Sequence, residues 1–403
     1  MSKKLKRMEQ PDSFHLSAAE GWLGLGCCLE ANDELDQIAP ERRAHPDVLT
    51  VRYKIYAAAR RKVAEQNYAD AQCCLGLCYE TGQGVGRDYA EAVKWYNKAA
   101  EQNFAKAQRL LGDCYWSGQG VEKDIAAAAK WYRKAAEQNY AKAQCALGVC
   151  YARGQGVVND DLEAVKWYRK AAEQNDANAQ CLLGCCYRSG QGVAKNQMEV
   201  VKWFRKAAEQ NYAEAQSGLG YCYAEGQGVG KNETEAVKWF RKAAEQNYAE
   251  AQCNMGISYA TGRGVTKDEA EAVKWYRQAA EQNLARAQSN LGICYSKGYG
   301  VVKDEVEAVK WFRKAAEQNE AESQSYLGAY YFSGIGVGKD EVEGYKWLLL
   351  ATAQGYERAK KLLTKLEFLM SRKQIIEGKR LASEFKPRKS GKCFVVSRDC
   401  ESK

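Results

Sequence analysis

Tryptophan returns every 36 residues through most of this 403-residue chain, at Trp95, Trp131, Trp167, Trp203, Trp239, Trp275, Trp311 and Trp347. The glycine pair Gly82/Gly84 returns in the same register through Gly334/Gly336, with no insertion in eight units. A period of this length means that each unit is one supersecondary element, unable to bury its apolar face alone and forced to stack on its neighbours. The two to four separate globular domains that length alone suggests do not apply to a chain that repeats.

One unit reads as two helices. The first runs from about Ala69 through Gln72, Leu75, Gly76 and Tyr79, with the small residues Ala71 and Gly76 admitting a close neighbour. The second follows Asp88 through Ala92, Trp95, Tyr96, Ala99 and Ala100, a spacing of three and four that places one apolar stripe on one face. Asp88, Asp124, Asp160, Asn196, Asn232, Asp268, Asp304 and Asp340 stand at the helix start, and seven of the eight are followed three residues on by Glu, a capping-box-like arrangement. Asn67, its equivalents Asn103 through Asn319, and finally Gly355 suit the left-handed conformation that ends the second helix. Gly-x-Gly-Val supplies the turn between the two helices.

Composition agrees with a helical, non-membrane chain: four prolines, 28% charged residues, and no apolar run near the 18 or so that cross a bilayer. The basic start, Met1 to Arg7, leads into Glu9, Pro11 and Asp12 rather than an apolar stretch, so the expected location is the cytoplasm, with the sixteen cysteines mostly reduced. Net charge is +9, but residues 351–403 carry 14 Lys/Arg against 6 Asp/Glu and residues 1–10 carry 4 against 1, leaving −2 for everything between. A nucleic-acid groove is basic along its working surface, and the repeated part is not.

The unit resembles the Sel-one-like repeat, a relative of the tetratricopeptide repeat. The likeness rests on Ala-x-Ala-Gln-x-x-Leu-Gly-x-x-Tyr-x-x-Gly-x-Gly-Val followed by Asp-x-x-Glu-Ala-x-x-Trp-Tyr, as in Ala69 to Val85 and Asp88 to Tyr96, and it covers about residues 53–370. The resemblance implies an all-α fold, a right-handed α-solenoid of stacked antiparallel helical hairpins in 36-residue repeats. The expected organisation is a flexible basic segment at 1–12, lead-in helices similar to a tetratricopeptide pair at 13–66, eight repeats at 67–355, a final helix with a capping helix at 356–385, and a basic disordered tail at 386–403. The lead-in carries Trp22 to Gly26, and Ile375, Ile376, Leu381 and Phe385 give the capping segment its apolar side.

Nothing in the chain gathers into an evident catalytic or cofactor site. Gly82-Gln83-Gly84-Val85-Gly86 is not a dinucleotide fingerprint, and Gly338-Lys339 lacks the rest of a P-loop. The two histidines, His15 and His45, both lie near the N-terminus. Some members of the family resemble β-lactamases, but Ser383-Glu384-Phe385-Lys386 and Lys389-Ser390-Gly391 are crowded together, without Ser-Asp-Asn. Cys78, Cys114, Cys150, Cys186, Cys222 and Cys294 share one phase and read as small core fillers; Cys73, Cys145, Cys181 and Cys253 share another. Equivalent positions on neighbouring units are about 10 Å apart, too far to share a zinc, and there is no C-x-x-C. Cys181 and Cys185, one turn apart, are the best thiol pair, yet the expectation is no metal and no cofactor. Exported relatives carry a bridge from the second helix, where this chain has Ala100, Ala136 and Ala172.

The first helix changes residue type at four phases, Asp70, Cys73, Leu77 and Glu80 in the first unit, whose spacing puts them on one stripe. By the resemblance, this stripe lines the concave groove of tetratricopeptide-like proteins. The candidate protein-binding residues are Asp70, Lys106, Arg109, Asp113, Trp116, Lys142, Asn178, Arg188, Glu214, Tyr221, Glu250, Asn254, Arg286, Asn290, Glu322, Tyr326 and Phe332, basic in front and acidic behind, with Trp116, Tyr221 and Tyr326 as anchors. The phase that would hold the Asn of a carboxylate clamp reads Leu77, Asp113, Val149 and Cys185, which argues against capture of free C-termini. The expected function is a non-enzymatic scaffold, a monomer binding one or more protein segments. A self-assembling spacer, and nucleic-acid or anionic-surface binding through the tail, are the alternatives.

Overall fold

The computed structural model describes residues 15–20, 28–39, 43, 45–65 and 67–388. The expectations for residues 1–12, for Trp22 to Gly26, and for the tail from residue 389, including Lys389-Ser390-Gly391, lie outside the described residues.

Every described repeat is a helical hairpin. The first helices are Ala69–Thr81, Ala105–Ser117, Ala141–Arg153, Ala177–Ser189, Ala213–Glu225, Ala249–Thr261, Ala285–Lys297 and Ala321–Ser333. The second are Tyr89–Glu101, Ile125–Glu137, Asp161–Glu173, Gln197–Glu209, Glu233–Glu245, Glu269–Glu281, Glu305–Ala316 and Glu341–Ala353. No strand occurs among the described residues. The chain divides into two compact units: Met1–Ala179 with Gln191–Val193, and Gln180–Gly190 with Ala194–Lys403.

The helix boundaries follow from the residues. Asp88 accepts from the backbone N–H groups of Ala90 and Glu91, and the same cap recurs at each expected Asp or Asn through Asp340. The second half of the capping box is not made in the repeats. The Asp88 N–H donates instead to the Tyr79 carbonyl at 2.9 Å, and Glu91 turns to Lys94 at 2.5 Å. Asn67 through Asn319 all have positive φ, 63 to 69°, and Gly355 has φ 81°.

Two contacts set hairpin geometry. Within the first seven hairpins the aromatic ring after the repeated Trp lies on the glycine of the first helix, as Tyr168 on Gly148 and Phe204 on Gly184, and in the eighth Leu348 takes that place on Gly328. Between hairpins, a buried glutamine bridges: Gln144 Nε2 donates to the Ala136 carbonyl at 3.2 Å and to Asn139 Oδ1 at 3.0 Å, and its Oε1 accepts from Gln174 Nε2 at 2.7 Å. The same glutamine-to-glutamine link recurs from Gln102 to Gln72 and from Gln354 to Gln324. A buried amide with its partners supplied costs little, and it fixes the stacking register more tightly than apolar contact.

In the first unit, the helix Cys28–Asp36 and the helix Pro46–Glu65 close around Ala31, Leu35, Ile38, Val48, Val51 and Ile55. In the second, the helices Glu357–Glu367 and Arg372–Ser383 pack on the last hairpin through Tyr345, Leu348, Leu363, Leu366 and Met370. Ser371 opens the final helix with a complete capping box to Gln374, and the Phe385 ring meets the Trp347 ring edge-on at 5.4 Å.

Candidate functional site

The variable stripe is positioned by one geometric rule. In several units the residue at the Asp70 phase reaches the Cys73 phase, or the position after it, on the preceding unit. Asn178 Nδ2 lies 3.4 Å from Cys145 Sγ, Arg286 donates to Glu250 at 3.1 Å and Asn254 at 2.7 Å, and Arg358 donates to Tyr326 Oη at 3.3 Å. Asn254, Asn290 and Tyr326 thus sit one position past the Cys73 phase, beside the stripe.

In the first unit the stripe is partly closed on itself. Arg109 Nη1 donates to Asp113 Oδ2 at 2.5 Å and Tyr132 Oη to Asp113 Oδ1 at 2.8 Å. Burial raises the Asp113 pKa, with Arg109 and Tyr132 opposing. The Trp116 ring, half-buried, lies 6.4 Å from that of Tyr132. Asp70, Lys142 and Asn178 are exposed and Lys106 is half-buried.

In the second unit, Tyr326 is not an open anchor: it stacks on Phe312 at 4.7 Å and 13°, under the Arg358 guanidinium at 5.1 Å. Phe332 packs against the core around Tyr345 and Leu348. Asn290 Nδ2 approaches Cys253 Sγ at 3.7 Å, and Tyr356 Oη donates to Glu322 at 3.5 Å. Burial raises the Glu322 pKa. Tyr221, 44% exposed, is the anchor that presents an open ring. The basic-to-acidic polarity is weakened where Arg286 neutralises Glu250. Arg358 was legible as a stripe residue, since Tyr356 to Met370 stands in the phase of a ninth first helix.

One cluster on the stripe is chemically distinct. Cys181 and Cys185 of the helix Ala177–Ser189 hydrogen-bond to each other, and Glu214, at the start of the next first helix, brings a carboxylate so that the three donor atoms lie within 4.8 Å of one another. Arg188 Nη2 stands 3.6 Å from Cys185 Sγ, and its guanidinium lies 5.6 Å from the Phe204 ring. Burial pushes the Glu214 carboxyl up to about 7, with Arg188 opposing. The shared hydrogen bond raises Cys181 and lowers Cys185. The signal for Glu214 was the 33-residue offset between the Cys73 phase and the next Asp70 phase, the offset that pairs Cys145 with Asn178.

The twelve cysteines from Cys73 to Cys294 are all thiols, most of them buried. Among the described residues, no helix is long and apolar enough to cross a membrane.

Hairpins of constant length, stacked through repeated glutamine and glycine contacts and differing along one stripe, define a tetratricopeptide-like helical-repeat scaffold. The chain belongs to the Sel1 repeat family, whose model matches eight consecutive segments: 69–104, 105–140, 141–176, 177–212, 213–248, 249–284, 285–320 and 321–356. Among solved structures it is similar to c5321, a protective antigen present in uropathogenic Escherichia coli strains and displaying an SLR fold, at 31% identity over 94% of each chain with a TM-score of 0.51. It is also similar to a Sel1 repeat protein from Oxalobacter formigenes, at 32% identity over 77% of this chain and 90% of that one, with a TM-score of 0.56. Comparison with curated proteins gives no match.

Proposed function

We propose that this protein is a non-enzymatic scaffold that binds segments of partner proteins through the first-helix stripe of its repeats, in a cytoplasmic, thiol-preserving setting. The observation that carries this reading is the contrast between fixed and variable positions. The glutamine, glycine and capping residues recur from unit to unit, while Lys142, Asn178, Glu214, Glu250 and Arg286 differ at one phase. The open ring of Tyr221 on that stripe gives an aromatic anchor of the kind that dominates interface energetics.

The test is an affinity pull-down from native lysate read by mass spectrometry, comparing the intact chain with Tyr221→Ala and with Lys142→Glu, one substitution in each compact unit. Proteins retained by the parent and lost from either variant at unchanged helical circular dichroism support the scaffold reading. Equal retention by all three refutes the stripe as the binding surface.

A further inference from the structure

We infer that Cys181, Cys185 and Glu214 form a zinc-class metal site that pins the first helix of the fourth repeat to that of the fifth, with the fourth coordination position open. The argument begins with the donors. Two thiol sulfurs and a carboxylate oxygen lie within 4.8 Å of one another, drawn from two helices, with Cys181 1% and Cys185 8% exposed. Zinc takes sulfur at about 2.3 Å and carboxylate oxygen at about 2.0–2.2 Å, so two sulfurs on a tetrahedral ion stand about 3.8 Å apart. With no separation above 4.8 Å, at most about 1 Å of closure remains, the scale of a side-chain torsion.

Charge selects the ion. Two thiolates and a carboxylate sum to −3; a divalent cation brings the set to −1, and the Arg188 guanidinium beside Cys185 brings it to zero. A neutral assembly is the one a buried position tolerates. Sulfur donors select borderline or soft ions such as zinc over magnesium or calcium.

The other repeats act as built-in comparisons. Where a cysteine occupies the Cys73 phase elsewhere, its neighbour at the 33-residue offset is Lys106, Asn178 or Arg286, none of them a carboxylate. At the Leu77 phase the fourth repeat alone carries a cysteine. Counting cysteines on neighbouring units misses the site, because its third donor is a carboxylate at the offset the stacking geometry brings close.

The test uses the full chain, reduced, stripped with chelator and exchanged into metal-free buffer. Titration with cobalt(II) chloride is expected to give near-ultraviolet thiolate-to-cobalt charge transfer and the strong red absorption of four-coordinate cobalt, both displaced by one equivalent of zinc chloride. Cys181→Ser and Glu214→Gln are expected to weaken zinc binding at least tenfold, each with unchanged circular dichroism, while Cys145→Ser binds as the parent does. Absence of the charge-transfer band in the folded parent, or equal affinity in the Cys181→Ser and Glu214→Gln proteins, overturns the site.

Discussion

The ring of Tyr132 lies on the α-carbon of Gly112, so close that a Cβ built there would stand 2.6 Å from Cε1 and 2.7 Å from Cδ1. The two residues belong to the two helices of one hairpin, and their contact sets how closely those helices approach.

Gly112→Ala should therefore force the ring or the helices apart. Overpacking of this kind costs about 1–3 kcal/mol. Gly86→Ala is the matched control, since an added Cβ there meets nothing within 4 Å. Urea denaturation followed by circular dichroism should show a lowered midpoint for Gly112→Ala and parental behaviour for Gly86→Ala. An unchanged midpoint for Gly112→Ala would remove this contact as the determinant of hairpin spacing.

The two glycines of each interhelical turn do different work. Gly154 ends its helix at φ +61°, and its Cβ would come no nearer than 3.2 Å, to Asn159. Gly156, at φ +74°, faces the preceding repeat, where a Cβ would lie 2.2 Å from the Ile125 carbonyl oxygen. Asn tolerates the left-handed conformation, so Gly154→Asn should cost less than about 1 kcal/mol. Gly156→Asn meets backbone that cannot yield and should cost several times more. Paired thermal melts of the two variants test the order, and a reversal would refute it.

These particulars show how far the sequence could be read. The caps, the left-handed asparagines and the hairpin boundaries were legible because each depends on a residue and its near neighbours in the chain. The 36-residue period then placed equivalent residues in stacked positions. What Glu91 does was not legible, because the choice between the Asp88 N–H and Lys94 turns on the Tyr79 carbonyl that already holds that N–H. Along the stripe, composition gave the residues but not their partners. Tyr326 and Phe332 read as open aromatics until the packing of Phe312, Arg358 and the last hairpin is known.

The glutamine bridge makes a sharper prediction than apolar packing does. Gln144→Leu keeps the volume near constant but removes the bonds that Gln144 donates to the Ala136 carbonyl and Asn139 and the one it accepts from Gln174, which keeps Asn139 Oδ1 at 3.0 Å as its acceptor. The net loss is about 0.5–1.5 kcal/mol for each such hydrogen bond. Gln174→Ala, at an exposed position, should cost less. If the Gln144→Leu protein melts with the parent, the ladder contributes nothing to stacking.

The buried thiols carry a pH signature whose sign is fixed by their environment. Burial pushes Cys114 and Cys150 up to about 12 and Cys294 up to about 11. At pH 8 a thiol with a pKa of about 12 is thiolate about once in 10⁴, against about one in four for an ordinary cysteine near 8.5. Iodoacetamide at pH 8 should therefore leave these three unmodified in the native protein and label them in urea, as read by peptide mass mapping. Because their folded-state pKa lies above the unfolded value, the unfolded chain loses these protons first as pH rises past about 9. Native stability is full below that pH and declines above it, so the urea midpoint should fall between pH 9 and 11. Native labelling of Cys114 at the rate seen in urea, or a midpoint rising through that window, would contradict the burial that gives these residues their role as core fillers.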